Sequence, residues 1–121
     1  MARRMSRTTY GPQIRPSSKY GNQKTQVSGI TFDSRKEANR YQELVLLERA
    51  GAIGNLELQP RYDLVVNGHS LGYYQADFRY KDVATGAVIT EDVKSSATKT
   101  PVYQLKKKLI KALYDIDIVE T

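Results

Sequence analysis

The sequence predicts an α/β (α+β) domain on a mixed sheet, with the element order α-β-β-β-α-β. Three observations predict it. Apolar residues recur at helical spacing over residues 34–50 and again over 102–114. Between these segments lie three extended stretches separated by turn residues. After the second helical segment, "DIDIVE" alternates as a short strand does.

Residues 1–18 have Pro12 and Pro16 and little hydrophobic pattern, which predicts a disordered or extended arm, with the folded domain over 19–121. A Ser28-Gly29 turn precedes Ile30 and Phe32, whose alternation suits a short edge strand. In the first helix, Ser34 with Glu37 three residues later has capping-box spacing. Ala38, Tyr41, Leu44, Val45 and Leu47 form its apolar side, and Gly51 suits its C-terminal cap. The first extended stretch, 56–66, is broken at Pro60, and Asn67-Gly68 then signals a hairpin into the second, 71–81. A turn over 82–86 leads into the third, 87–94. Pro101 suits the first turn of the second helix, which sets Val102, Leu105, Leu109, Ile110 and Leu113 on one side. Because the last strand returns through a helix, it can lie parallel to a neighbour.

A chain of 121 residues suits one domain with one modest core. With no Cys, disulfides, thiolate metal sites and Cys nucleophiles are excluded, and a cytoplasmic setting is expected. No apolar run approaches a membrane span, so no membrane partner is expected. The net charge of +6 is localised. Of 19 Lys and Arg, six lie within residues 1–28, which hold no Asp or Glu; the remaining 13 balance the 13 acidic residues. A basic, polar arm carrying Arg3, Arg4 and Arg7 on a neutral body suits a polyanion such as DNA.

Strand alternation places Asp92 and Lys94 on one face of the third stretch, and Glu91 and Val93 on the other. On the second stretch Asp77 shares a face with Gln75 and Arg79, opposite Ala76, Phe78 and Tyr80. The 82–86 turn makes these strands neighbours, so Asp77 and Asp92 converge if the register allows. Two nearby carboxylates repel unless a cation lies between them. Hard oxygen ligands suit Mg²⁺ or Mn²⁺, which activates water and neutralises phosphate charge. An adjacent lysine would position the water and stabilise the developing anion. Glu37 falls on the apolar side of its helix, where an acid needs a partner; it either completes the cap with Ser34, joins the other acids, or does both. Taken alone, Asp92 and Lys94 would be no more than a solvated strand end.

An acid on the first helix, an Asp on the second strand, a (D/E)-x-K on the third, then a helix and a strand, resemble the PD-(D/E)XK nuclease superfamily of restriction-endonuclease-like fold. More closely, "GITFDSRKEANRYQELVLLERAGAIGNLELQPRYDL", "YQADFRY", "EDVKS" and "VYQLKKKL" are similar to small phage and prophage proteins grouped as a domain of unknown function within that superfamily. The resemblance covers about residues 19–120. It implies a nuclease-like domain in which Asp77 and Asp92 ligate a divalent metal, with Glu37 a further acid beside it. It further implies that Lys94 orients the attacking water and that the Val93 backbone carbonyl is a ligand. Ala76 stands where the superfamily motif has Pro. A homodimer and a Holliday-junction-resolvase-like activity on branched DNA are also compatible with the resemblance.

Lys99, Lys106, Lys107, Lys108 and Lys111 make the last helix and its approach basic, as a DNA phosphate track or as a solvated face. Tyr73, Tyr74 and Tyr80 lie near Asp77 and suit packing better than base stacking. His69 follows a turn and offers no His-based triad, and no Gly-rich phosphate loop is present. The expectation is a metal-dependent DNA endonuclease. The alternatives are a DNA-binding phage protein that keeps the fold without chemistry, and a phage assembly protein, for which no motif speaks.

Overall fold

The structure, a computed structural model, describes residues 24–121. The arm predicted over 1–18, with Arg3, Arg4 and Arg7, lies outside the described residues, as do residues 19–23. Strands β1 (Thr25–Val27) and β2 (Ile30–Phe32) form a small antiparallel hairpin rather than an edge of the main sheet. Its turn holds Ser28 at φ 52° and Gly29 at φ 80°. Helix α1 (Arg35–Arg49) starts where extended Ser34 accepts the Glu37 N–H on its hydroxyl at 3.1 Å, filling one of the helix's open donors.

Both of the first two predicted stretches divide in two. Residues 56–66 fall into β3 (Ile53–Leu58) and β4 (Arg61–Val66), parted at Gln59 and Pro60. Residues 71–81 fall into β5 (His69–Gln75) and β6 (Phe78–Asp82), parted at Ala76 and Asp77. The breaks lie side by side: Gln59 N–H donates to the Asp77 carbonyl at 2.9 Å, and Ala76 N–H to the Pro60 carbonyl at 3.1 Å. One long hairpin thus folds at a corner. Gln59 at φ 56° and Pro60, with no N–H to give a ladder, are the local cause. The outer half, β4 and β5, is a separate ribbon closed by Asn67 (φ 51°) and Gly68 (φ 78°), the left-handed pair that a tight hairpin turn requires.

The inner half joins a four-stranded sheet ordered β3-β6-β7-β8, with β7 at Val88–Asp92 and β8 at Val119–Glu120. The first three of these strands pair antiparallel and β8 lies parallel to β7. The fold is therefore the predicted mixed α+β arrangement, with more and shorter strands. Helix α2 (Pro101–Tyr114) enters through Pro101 and the Thr100 cap, and ends at Asp115 in the left-handed conformation, φ 58°.

Two cores flank the sheet. One gathers Phe32, Ala38, Leu44, Ile53, Phe78 and Tyr80 under α1. The other gathers Tyr62, Leu64, Tyr74, Ala76, Tyr103 and Ile110 beneath the ribbon and α2. Ala76 therefore parts from Phe78 and Tyr80, with which uninterrupted alternation grouped it, because the strand breaks between them. The buried face of α2 also differs from the predicted one. Tyr103 and Ile110 are buried, whereas Val102 and Leu105 are 63% and 58% exposed. At about 100° per residue the buried stripe is turned by roughly one residue from the apolar stripe. The bulk of Tyr103 and the polar pairing of Lys107 set that rotation, as the site geometry makes clear.

Candidate functional site

At the end of β7, the first turn of α1 and the loop before α2 enclose an open cleft of about 450 Å³. Asp33, Ser34, Arg35, Lys36 and Glu37 line one side, Asp77, Asp92, Val93 and Lys94 the floor, and Ser95 and Thr98 the other side. Glu37, Asp77, Asp92, Val93 and Lys94, from separate parts of the chain, thus meet in one cleft.

Alternation in β7 runs as the sequence implied. Ile89, Glu91 and Val93 face the α1 core, and Thr90 and Asp92 face the other side, bonded to Tyr62 and Tyr74 there. Asp77 sits at the corner between β5 and β6. Its N–H donates to the Glu91 carbonyl at 3.1 Å, which holds it beside the β7 end. Its Oδ2 accepts the Val93 N–H at 2.7 Å, and the Asp92 carboxyl lies close enough to raise its proton affinity. The group of Val93 engaged here is its amide.

Asp92 is 3% exposed. The Tyr74 hydroxyl donates to its Oδ2, and the Lys94 ammonium lies 3.6 Å from the same oxygen. Burial, then the charges of Glu37 and Asp92, push the Asp77 carboxyl well above its ordinary value. Burial, with Asp92 beside it, also pushes the Tyr74 phenol up, so Tyr74 stays a neutral donor. Glu37, 5% exposed, reaches the cleft from the first turn of α1 while its own N–H is capped by Ser34. Ser34 thus caps the helix at the Glu37 N–H, while the Glu37 side chain lines the cleft with the other acids.

Glu91, the acid that faces away, is fully buried. Arg40 binds it with two donors, at 2.9 and 2.6 Å, and the Tyr80 hydroxyl donates to it as well. Its role is to tie α1 to the sheet and hold β7 in register beneath the cleft.

Of the lysines expected to line a DNA track, three are paired within the chain. Lys99 and Lys107 bind Glu120 at 3.1 and 2.9 Å, and Lys111 binds Asp115 and Asp117 at 3.0 and 3.1 Å. Lys106 lies 5.6 Å from the centre of the Tyr73 ring, and Lys108 is exposed. Two residues that the sequence did not single out also join the site, Lys36, whose ammonium donates to the Lys94 carbonyl at 2.7 Å, and Tyr103; Tyr74, which the sequence assigned to packing near Asp77, donates to Asp92 as well. Tyr74 alternates with Gly72 and Ala76 on an ordinary strand, so nothing local marks it as an aspartate partner.

The donor set can be tested against a hard divalent cation. Among the described residues, no three His, Asp or Glu side chains are gathered closely enough to cage a metal by themselves. Mg²⁺ retains several waters and is commonly bound through one or two carboxylates. Two adjacent aspartates with a third acid nearby, in an open cleft, fit that mode; a closed all-protein cage they do not fit.

Small in size, with two helices among its described residues, neither long and apolar enough to cross a membrane, the chain has an acid-rich cleft at the edge of a mixed sheet. A family model described as a protein of unknown function, DUF1064, matches residues 17–119, and the chain belongs to that family. No curated protein and no solved structure gave a match.

Proposed function

We propose that this chain is a Mg²⁺- or Mn²⁺-dependent DNA endonuclease of the PD-(D/E)XK type, hydrolysing a backbone phosphodiester. The observation that carries the reading is the meeting of Glu37, Asp77, Asp92 and Lys94 in one cleft. The acids are otherwise an unfavourable grouping, as the upward push on Asp77 records. Asp77 and Asp92 would hold the ion, with Glu37 adding negative charge beside them. An ion held by these residues would supply a water of lowered pKa and neutralise charge on the phosphate. Lys94 orients the nucleophile and stabilises the developing anion from the rim of the Asp92 carboxylate. Tyr74 fixes the Asp92 carboxylate, and Val93 N–H fixes that of Asp77, so both acids are held in place before substrate arrives. The resemblance to phage and prophage proteins supports a task in phage DNA processing or recombination, branched DNA included.

A second reading, DNA binding without cleavage, is favoured by one observation. Asp92 Oδ2 is already engaged by Tyr74 and by Lys94. Plasmid and four-way-junction substrates incubated with Mg²⁺, Mn²⁺ or EDTA separate the two. Cleavage is expected with either metal and not with EDTA, and Asp92→Ala or Lys94→Ala should lower it about 100-fold or more. Equal behaviour of wild type and Asp92→Ala in every condition would overturn the nuclease reading; metal-independent binding without cleavage would establish the second.

A further inference from the structure

The Lys94 ammonium has two neighbours that fix it. Asp92 Oδ2 lies 3.6 Å away, and the centre of the Tyr103 ring lies 4.2 Å away, within the range of a cation–π contact. Lysine has a long, flexible side chain, so a charge needed at one point in a cleft must be held there by something. Asp92 supplies an attraction and the ring supplies a floor.

The ring is itself held. Tyr103 stands in the first turn of α2, where the Thr100 hydroxyl accepts its N–H at 3.1 Å. Its centre is 6.4 Å from that of Tyr74, the residue that donates to Asp92. Its hydroxyl donates to Glu120 Oε2 at 2.7 Å. Glu120 lies directly across from Asp92 in the parallel β7–β8 pair, and it also takes Lys107 at 2.9 Å and Lys99 at 3.1 Å. Hydrogen bonds from Tyr103 and Lys107 hold the Glu120 carboxyl down to about 2. The cluster thus stays charged through the ordinary working range. Burial keeps Tyr103 neutral, so its ring acts on Lys94 as a fixed electrostatic surface rather than as an acid.

We infer that Tyr103 is a positioning residue whose ring holds the Lys94 ammonium at the cleft, and that Lys99 and Lys107, through Glu120, anchor the helix that carries the ring. The catalytic part of this inference rests on the proposed role of Lys94; the positioning itself does not. It gives Lys99 and Lys107 a different task from phosphate binding: they anchor α2 to β8 so that the ring lies under Lys94. It also explains why α2 is rotated away from its apolar stripe, since the rotation brings Tyr103 to Lys94 and Lys107 to Glu120.

The test uses the full chain with Tyr103→Phe, which keeps the ring, and Tyr103→Met, which keeps apolar bulk without it. Two quantities are measured. One is the NMR position of the Lys94 ε-methylene protons, identified by their loss in Lys94→Ala. The other is steady-state cleavage of plasmid DNA with Mn²⁺. Wild type and Tyr103→Phe should show those protons displaced upfield by the ring, and Tyr103→Met should return them to the position of the other lysines. Tyr103→Met should lower kcat about tenfold with KM changed less than about threefold, while Tyr103→Phe stays within about threefold of wild type. Undisplaced Lys94 protons in wild type overturn the inference, as does Tyr103→Met cutting as fast as Tyr103→Phe. Displaced protons in a wild type that cuts no DNA support the positioning and count against the nuclease reading instead. Should Tyr103→Met not fold, the proton positions in wild type and Tyr103→Phe decide.

Discussion

Asp77→Asn should make the metal-free protein more stable as the pH rises, although it removes a charged group from a hydrogen-bonded position. Burial, Glu37 and Asp92 together raise the Asp77 carboxyl well above its ordinary 3.8. Between those two values the folded chain keeps a proton that the unfolded chain releases. Stability is therefore fully present below the ordinary value and is lost as pH rises through the window, by up to about 1.4 kcal/mol per pH unit. Asparagine removes that slope and can keep both contacts, since its Oδ1 can accept the Val93 N–H and its amide can donate to Asp92. For a chain of 121 residues, 1.4 kcal/mol corresponds to roughly 5–6 °C in Tm. The assay is thermal unfolding by circular dichroism from pH 4 to pH 8 in EDTA, for wild type and variant side by side. Groups outside the Glu37–Asp77–Asp92 cluster titrate alike in both, so the difference isolates the cluster. The variant should overtake wild type as pH rises. Parallel curves, or a variant less stable throughout, would refute the reasoning that the acids are an electrostatic cost in the metal-free fold.

Arg40→Met should cost about 3–5 kcal/mol in urea unfolding, because it leaves the fully buried Glu91 carboxylate without its two guanidinium donors. A loss under about 1 kcal/mol would mean that the pair does not organise β7. Deleting residues 1–18 removes Arg3, Arg4, Arg7 and Arg15, and should weaken DNA binding while flattening the slope of log K against log salt by about three. Cleavage at saturating DNA should persist, and an unchanged slope would remove the arm from the DNA contact.

Much of the framework is written in short stretches. Ser34, Thr100 with Pro101, and Asn67-Gly68 each act through neighbours a few residues away, and each does in the fold what its chemistry suggests. Alternation in 87–94 separated Asp92 from Glu91 correctly, because β7 is flanked by β6 and β8 and has no break. The division of the two long stretches was less legible. Pro60 marked a break in its own strand, but the matching break at Ala76 and Asp77 follows from pairing across the hairpin, which no local residue announces. The corner that results is what brings Asp77 to the β7 end.

The lysines of α2 show the limit most clearly. By sequence, Lys99, Lys107 and Lys111 are cations on a helix that carries an apolar stripe elsewhere, and a phosphate track is a natural inference. Glu120, the partner of Lys99 and Lys107, lies on β8, so that pairing depends on how α2 sits against β8, whereas Lys111 pairs locally with Asp115 and Asp117. Helix rotation is set by packing at a distance, here by Tyr103 seating between Tyr74, Lys94 and Glu120. The sequence by itself determined the helices, the turns and the identity of the acids and the lysine, because these depend on intrinsic backbone preference and residue chemistry. The tertiary structure decided which acid meets which and which lysines stay available, because electrostatic pairing acts over a few ångströms between residues far apart in the chain.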